Sequence, residues 1–350
     1  MPDLRDHTTL RLGGPGRSWV RATTEAELVS AVADADAAGT PVLVLAGGSN
    51  LVVGDDGFDG LVVQVATTGV HAAPDDPDAG PQCGGVELRV AAGEDWDALV
   101  ALAVARGWSG IEALSGIPGA VGSTPIQNVG AYGQDVSQTV SRVRTWDRVQ
   151  RTQRTFAAGD CGFGYRHSRF KADPGRYLVL EVTFQLRVGA LAAPVAYAEL
   201  ARHLGVEVGE RAPLADVRAA VLALRSGKGM VLDDADHDTW SAGSFFTNPF
   251  LTPEQAAALP EAAPRWEQPD GTVKSSAAWL IEHAGFGKGH VSAAAGERVA
   301  LSTKHTLALT NRGGATTEEL LTLAREVRDG VEARFGVRLV NEPVTVGCAL

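Results

Sequence analysis

The 350 residues, 45% hydrophobic and 21% charged, are enough for two or three domains with a sizeable core. A formal charge of −11 argues against a general nucleic-acid binder, though an anionic small molecule remains open if basic residues cluster locally. The three cysteines, Cys83, Cys161 and Cys348, have neither disulfide-framework nor zinc-ligand spacing, so no metal is expected and a reduced setting is. The opening MPDLRDHTTLRLGG lacks an apolar core, and no run is long enough to span a bilayer. A cytoplasmic protein with no membrane insertion is therefore expected.

From Thr24 the pattern TEAELVSAVADADAAG predicts a helix, with Thr24 and Glu27 at capping-box spacing and Gly39 as terminator. The β-forming run Val42–Ala46 leads into Gly47-Gly48-Ser49-Asn50, then Leu51–Val53, and a further strand is read at 61–65. A β-turn would use the same GGSN residues. No G-x-G-x-x-G and no GxxxxGK[ST] occurs, which removes the Rossmann and P-loop readings. Residues 71–85 read as a Pro/Gly-rich connector, 86–92 as a strand, and Asp95 caps a helix ending at Gly107.

Next comes a glycine-rich, almost uncharged stretch, SGIPGAVGSTPIQNVGAYG from Ser115 to Gly133. Such a run is entropically unfavourable unless positive φ or close approach requires it. Hydroxyls and amides set among bare N–H groups (Ser123, Thr124, Gln127, Asn128) suit a wrapped polar or phosphorylated ligand. Strands are read at 140–148 and 177–188, separated by a basic, aromatic stretch from Cys161 to Lys171. A helix over Leu214–Leu224 is expected to stop at Arg225-Ser-Gly-Lys228, and 231–240 reads as a polar linker. Ser241–Pro249 mixes small, aromatic and amide residues, unlike an ordinary loop. Then follow a helix at 275–283, a strand at 307–310, a capped helix from Thr316 to Phe335 and a last strand carrying Glu342.

Together these separated motifs resemble the UDP-N-acetylenolpyruvoylglucosamine reductase (UDP-N-acetylmuramate dehydrogenase) family. The matching stretches are GGSN at 47–50, IPGAVGS at 117–123, QNVGAYG at 127–133, GYRHS at 164–168, AGSFFTNP at 242–249, and Glu342. They keep family order and span most of the chain. Two departures stand out: Ala46 where a further glycine is usual, and Thr247 where lysine is frequent.

The resemblance implies an α+β protein: the two-domain FAD-binding fold of the vanillyl-alcohol-oxidase-like (PCMH-type) flavoproteins plus a third, α+β substrate-binding domain. The parts are placed at 1–70, at 71–230 with 333–350 returning, and at 231–332. It implies NADPH-dependent reduction of UDP-N-acetylglucosamine enolpyruvate through non-covalent FAD, in peptidoglycan synthesis. Cofactor contacts are expected from Gly47, Gly48, Ser49, Asn50, Gly119, Gly122, Ser123, Gln127, Asn128, Gly130 and Tyr132. Substrate contacts are expected from Tyr165, Lys228, Asn248 and Tyr197, the last matching the family's tyrosine loop.

An alkene conjugated to a carboxylate accepts hydride if the charge developing on that carboxylate is stabilised and the carbanion is protonated. Arg166 fits the cation, being always charged and forked to meet a carboxylate. Ser244 is the implied proton donor, and Glu342 completes the catalytic set. Without a dinucleotide fingerprint, NADPH and the sugar nucleotide are expected to use one cleft in turn, in a monomer. The rival readings are an FAD-linked oxidase and a flavin-binding module without turnover. Lys304-His305 stays outside the expected site.

Overall fold

The computed structural model describes residues 2–74 and 85–350. Cys83 and the centre of the expected 71–85 connector lie outside the described residues. The chain forms two compact units: residues 18–47 with 60–226, and residues 1–17 with 48–59 and 227–350.

In the first unit the capping box predicted at Thr24 forms. The Thr24 hydroxyl accepts from the N–H of Glu27, and the Glu27 carboxylate accepts in return, opening helix Glu25–Ala37. Gly39 follows at φ 67°. Strands Gly16–Ala22, Phe58–Val65 and Val42–Leu45 form a three-stranded sheet in that order, the last two parallel. The larger sheet orders Thr152–Ala157, Val140–Asp147, Tyr177–Val188, Gly85–Ala91 and Val70–Pro74, all antiparallel, with Trp108–Ser109 added on Tyr177–Val188. Val140–Asp147 alternates burial as its sequence does, whereas Tyr177–Val188 is buried on both faces along most of its length. Val70–Pro74 is thus a paired strand, correcting the reading of position 71 onward as connector. Helix Trp96–Ala105, capped by Asp95, packs Trp96 and Leu99 into a core with Leu88, Val90, Val182 and Phe184.

One helix runs past its expected end. Leu214–Gly227 continues through Arg225, which is only 8% exposed in the last turn. The aliphatic stem gives Arg225 good helix propensity, so it does not terminate the helix as the RSGK pattern suggested.

In the second unit, helix Thr317–Phe335 carries the predicted box, Thr316 with Glu319, and ends at Gly336 with φ 67°. Its apolar face packs with Phe245, Phe246, Leu280, Ile281 and Leu309. Val299–Leu301 pairs with Leu309–Asn311, and Phe250–Leu251, Val273–Ser275 and Arg265–Glu267 form a small sheet. The expected 231–240 linker is structured instead: Asp238 is 4% exposed, bonded to Thr303 and ion-paired with Arg312 at 2.7 Å. Burial opposes its charge, but those donors hold the carboxyl below its usual range. The last strand, Val344–Val346, pairs in parallel with Leu51–Val53 and, among the described residues, with no strand of the 71–230 segment. Glu342 precedes it, because Pro343 has no N–H for a ladder. Among the described residues, no helix is long and apolar enough to cross a membrane.

Candidate functional site

The glycine-rich segment is folded onto the strand-to-helix turn at 92–96. Gly122 N–H donates to Ala92 O (2.8 Å), Val121 N–H to Glu94 O (2.8 Å), and Trp96 N–H to Gly119 O (3.0 Å). The glycines are needed where backbones touch. A Cβ on Gly47 would lie 2.6 Å from the Cα of Gly119, and one on Gly122 would lie 2.6 Å from the Cβ of Ala92. Gly122 therefore makes room for protein. Asp97 pins the start of the segment, accepting from Gly116 N–H at 2.6 Å while Arg218 chelates both its oxygens at 2.7 and 2.8 Å. Burial disfavours its charge, yet these bonds hold the carboxyl below the ordinary range.

Arg166 belongs to this assembly. It sits at the tip of a tight turn closed by Gly164 N–H to His167 O (3.0 Å) and His167 N–H to Gly164 O (3.2 Å). Its own φ is 51°, a left-handed conformation that an arginine adopts only where the surroundings impose it. Its Nη2 donates to Gly130 O at 3.1 Å, and its guanidinium lies 5.5 Å from the centroid of the Tyr165 ring. Asn128 explains the imposition. Its Nδ2 donates to Gly164 O (2.9 Å) and its Oδ1 accepts from Ser137 N–H (3.1 Å), so both ends of the amide are used within the protein. Asn128, expected at the cofactor, is thereby the peg that holds the Arg166 turn.

Gln127 differs. Lys171 Nζ donates to its Oε1 at 2.6 Å, which fixes the amide, while its Nε2 is buried with no hydrogen-bond partner among the described residues. Ser123 and Thr124 donate their hydroxyls to Ala120 O (2.6 Å) and Val121 O (2.8 Å), leaving lone pairs only.

Tyr132, at φ 49°, meets Tyr197 edge to face with ring centroids 5.6 Å apart. The structure thus joins two residues expected to serve cofactor and substrate. Burial pushes the Tyr132 hydroxyl up to about 12, partly offset by the charge of Arg225. Burial likewise pushes Arg225 down to about 10, which still leaves it charged at neutral pH. The sequence reading missed Arg225 because helix periodicity marks it only as a C-terminal cation.

In the second unit, Ser244 lies in a loop bonded to two others. Phe245 N–H donates to Leu307 O at 2.7 Å, Glu342 N–H donates to Phe245 O at 2.8 Å, and Thr247 N–H donates to Val340 O at 3.0 Å. Buried Phe245 and Phe246 anchor the loop, and Gly243 turns it at φ 71°. So Glu342, distant from Ser244 in sequence, is tied to Phe245, the residue next to Ser244. The Ser244 hydroxyl lies 3.4 Å from His305 Nε2. Asn248 Oδ1 accepts from Ala277 N–H at 3.0 Å, at the start of helix Ala277–His283, so that end of its amide serves the fold. Gly48 is also structural: a Cβ there would lie 1.9 Å from His7 O. Ser49, Asn50 and Lys228 are half-buried.

The residues present fit a bound flavin nucleotide: a buried amide donor at Gln127 with no partner among the described residues, and backbone exposed at Gly47.

Residues 234–346 match the family model described as UDP-N-acetylenolpyruvoylglucosamine reductase, C-terminal domain, and residues 17–154 match that of an FAD binding domain. A relative from Cutibacterium acnes named UDP-N-acetylenolpyruvoylglucosamine reductase is 58% identical over 98% of this chain and 89% of its own length. One of the same name from Streptomyces avermitilis is 54% identical over 98% of this chain and 93% of its own. Among solved structures, UDP-N-acetylenolpyruvylglucosamine reductase from Thermus caldophilus superimposes with a TM-score of 0.65, covering 99% of this chain and 97% of that one. At 24% identity, that match speaks to the fold alone: an FAD-binding fold with a further C-terminal α+β part.

Proposed function

Because this chain belongs to the UDP-N-acetylenolpyruvoylglucosamine reductase family, we propose which of its residues carry the reduction of UDP-N-acetylglucosamine enolpyruvate to UDP-N-acetylmuramate. It is an FAD-containing, NADPH-dependent oxidoreductase of peptidoglycan synthesis, and the observation that carries this is 58% identity along nearly its whole length. FAD, when bound, supplies the hydride. Everything else is asked of the chain.

Arg166 binds the substrate carboxylate. Held by Gly130 O and by its own turn, its guanidinium is oriented before substrate arrives, so little reorganisation is needed as charge develops. Ser244 gives its hydroxyl proton to the substrate carbon left as a carbanion, and Glu342 orders the substrate end of the same loop. Tyr165 and Tyr197 close on the substrate, with Lys228 and Asn248 toward the diphosphate and sugar. Gly47, Gly48, Ser49, Asn50, Gly119, Ser123, Gln127, Gly130 and Tyr132 line the cofactor, and Gly122 and Asn128 shape that lining from behind.

NADPH and the sugar nucleotide occupy one site in turn, in a monomeric cytoplasmic enzyme. The absence of any dinucleotide fingerprint supports this order. The three-part division at 1–70, 71–230 with 333–350, and 231–332 stands as our proposal for its domains. Leu51–Val53, the partner of Val344–Val346, belongs to the first part of that division.

Purified protein should be yellow and should oxidise NADPH rapidly only when the enolpyruvyl substrate is added. Initial rates at several fixed NADPH concentrations should give parallel double-reciprocal lines. Intersecting lines with a stable ternary complex would overturn the single-site order, and turnover with oxygen alone would favour an oxidase.

A further inference from the structure

The contact of Ser244 with His305 is not required by anything above. His305 lies in a turn closed at several points. Ser302 Oγ, fully buried, accepts from Lys304 N–H (3.0 Å) and His305 N–H (3.2 Å). Ser302 N–H donates to Ala308 O (2.8 Å) and Ala308 N–H to His305 O (3.0 Å). This turn also accepts the serine loop, through Phe245 N–H to Leu307 O. The bond falls one residue from Ser244 and two from His305, so the imidazole and the hydroxyl are fixed on one backbone frame. Lys304 is engaged with Asp236, whose hydrogen bond first, and then its charge, favours the protonated form. The neighbouring cation is therefore committed elsewhere.

A serine hydroxyl has one proton and two lone pairs. If Ser244 donated to His305, its proton would be held by the ring and turned from the substrate. Donation to carbon requires the opposite arrangement, with the ring N–H donating to a serine lone pair. We propose that His305 is a positioning residue for Ser244: Nε2–H donates to Oγ and leaves the serine proton free for the substrate. This rests on the reading of Ser244 as proton donor. As the new C–H bond forms, the Oγ–H bond breaks and the electron pair stays on oxygen, facing a fixed N–H donor. At 3.4 Å the bond is long, as catalytic hydrogen bonds often are before substrate tightens the site. An N–H donor stabilises the developing alkoxide more than the neutral hydroxyl, so its effect belongs to the transition state.

The test separates the two half-reactions by stopped-flow in four proteins: Ser244→Ala, His305→Ala, His305→Gln and the double Ser244→Ala/His305→Ala. His305→Ala should slow the half-reaction with the enolpyruvyl substrate by about tenfold, the worth of one ordinary hydrogen bond. The NADPH half-reaction and KM for the substrate should hardly change. His305→Gln keeps an N–H donor at similar reach and should recover most of the rate. The double variant should be no slower than Ser244→Ala alone, since the imidazole acts only through the hydroxyl. Full additivity, or equal slowing of both half-reactions, would mean that His305 merely supports the loop. If Ser244→Ala is slow while His305→Ala and His305→Gln match wild type, only the role of His305 falls. If Ser244→Ala itself matches wild type, the reading of Ser244 falls and this proposal with it.

Discussion

The segment 115–133 and the loop 241–249 are both rich in small residues, yet they are built for different purposes. In the first, backbone meets backbone: Gly47 against Gly119, Gly122 against Ala92, with hydroxyls donated inward to Ala120 and Val121. Asn128 spends its amide on the fold, and Gln127 keeps a buried donor. In the second, two buried phenylalanines and a few backbone bonds hold the loop, while the Ser244 side chain makes one long contact. A run of small residues thus marks shape in one place and access for a reactive group in the other. Changing side chains should damage stability and cofactor retention in the first, and the rate of one chemical step in the second.

The strongest way to break this contrast is Ser244→Ala. A positioned general acid contributes about 10²–10⁴-fold, and that loss should appear only in the half-reaction with the enolpyruvyl substrate. The NADPH half-reaction, flavin content and thermal midpoint should stay close to wild type. Ser244→Cys should recover part of the rate, because a thiol can still donate. A lowered midpoint in Ser244→Ala would place that loop with the shape-determining segment.

Gly122→Val probes the other region. Its Cβ would begin 2.6 Å from the Cβ of Ala92, and overpacking of this kind costs about 3 kcal/mol at its upper range. Lower thermal stability and weaker flavin retention should appear together. Adding Ala92→Gly removes the clashing carbon and should restore part of both. If it restores stability but not flavin retention, Gly122 acts through direct approach to the cofactor; if it restores neither, the backbone of residue 92, 3.0 Å from the added Cβ, is the obstacle.

Much of this contrast was legible before any coordinates. Capping boxes at Thr24 and Thr316 and terminators at Gly39 and Gly336 rest on local hydrogen bonding, which sequence encodes directly. The proposed roles of Arg166, Ser244 and Glu342 rest on motif resemblance. What escaped was non-local. The exposed edge strand Thr152–Ala157 has little apolar patterning, so nothing in its composition announced it. Asp238 looked like linker polarity because its partners, Thr303 and Arg312, lie more than sixty residues away. Asn128 and Gln127 are adjacent amides, and only the positions of Gly164, Ser137 and Lys171 distinguish the peg from the available donor. His305 looked like an ordinary partner of Lys304 for the same reason.

A smaller effect, carried by charge, lies at the end of strand Val140–Asp147 in the large sheet. Asp147 is fully buried, with Arg176 donating Nη2 at 3.0 Å and the N–H groups of Val149 and Gln150 at 3.0 and 3.1 Å. The Arg176 bond, above all, holds its carboxyl below the usual range despite burial. A depressed folded value means the contribution is complete above the unfolded value of about 3.9 and is lost as pH falls through the folded one. Asp147→Asn should therefore cost about 2 kcal/mol at neutral pH, the range for a charge-assisted hydrogen bond. The gap from wild type in thermal midpoint should narrow below pH 4. A gap that stays constant down to pH 3 would mean the bonding there does not depend on charge.

The smallest effects come from the two capping boxes, which are matched probes, one in each unit. Thr24 Oγ1 accepts from Glu27 N–H at 3.2 Å, and Thr316 Oγ1 accepts from Glu319 N–H at the same distance. Replacing either by alanine removes one acceptor from a helix start, typically worth about 1 kcal/mol. Their surroundings differ, however. At Thr24 the cap stands on an exposed turn, where Thr23 donates to Glu27 and Arg144 and Gln153 donate to the Glu25 carboxylate, bonds that take up no further backbone N–H of the first turn. At Thr316 the same helix start is held further: Asp55 accepts from Thr317 N–H (2.8 Å), Thr317 Oγ1 donates to Val53 O (2.6 Å), and Arg298 braces Glu319. With orphan N–H groups already taken up, Thr316→Ala frees less of the first turn. Thr24→Ala should lower the thermal midpoint by about 2–4 °C and Thr316→Ala by less, as circular dichroism melts would read. Neither should alter either half-reaction, because no bond of the Ser244 loop or the Arg166 turn passes through these caps. If Thr316→Ala proved the more damaging, the Asp55 and Arg298 bonds would depend on the cap rather than back it up. The Ser244 unit would then be the more fragile of the two at its longest helix.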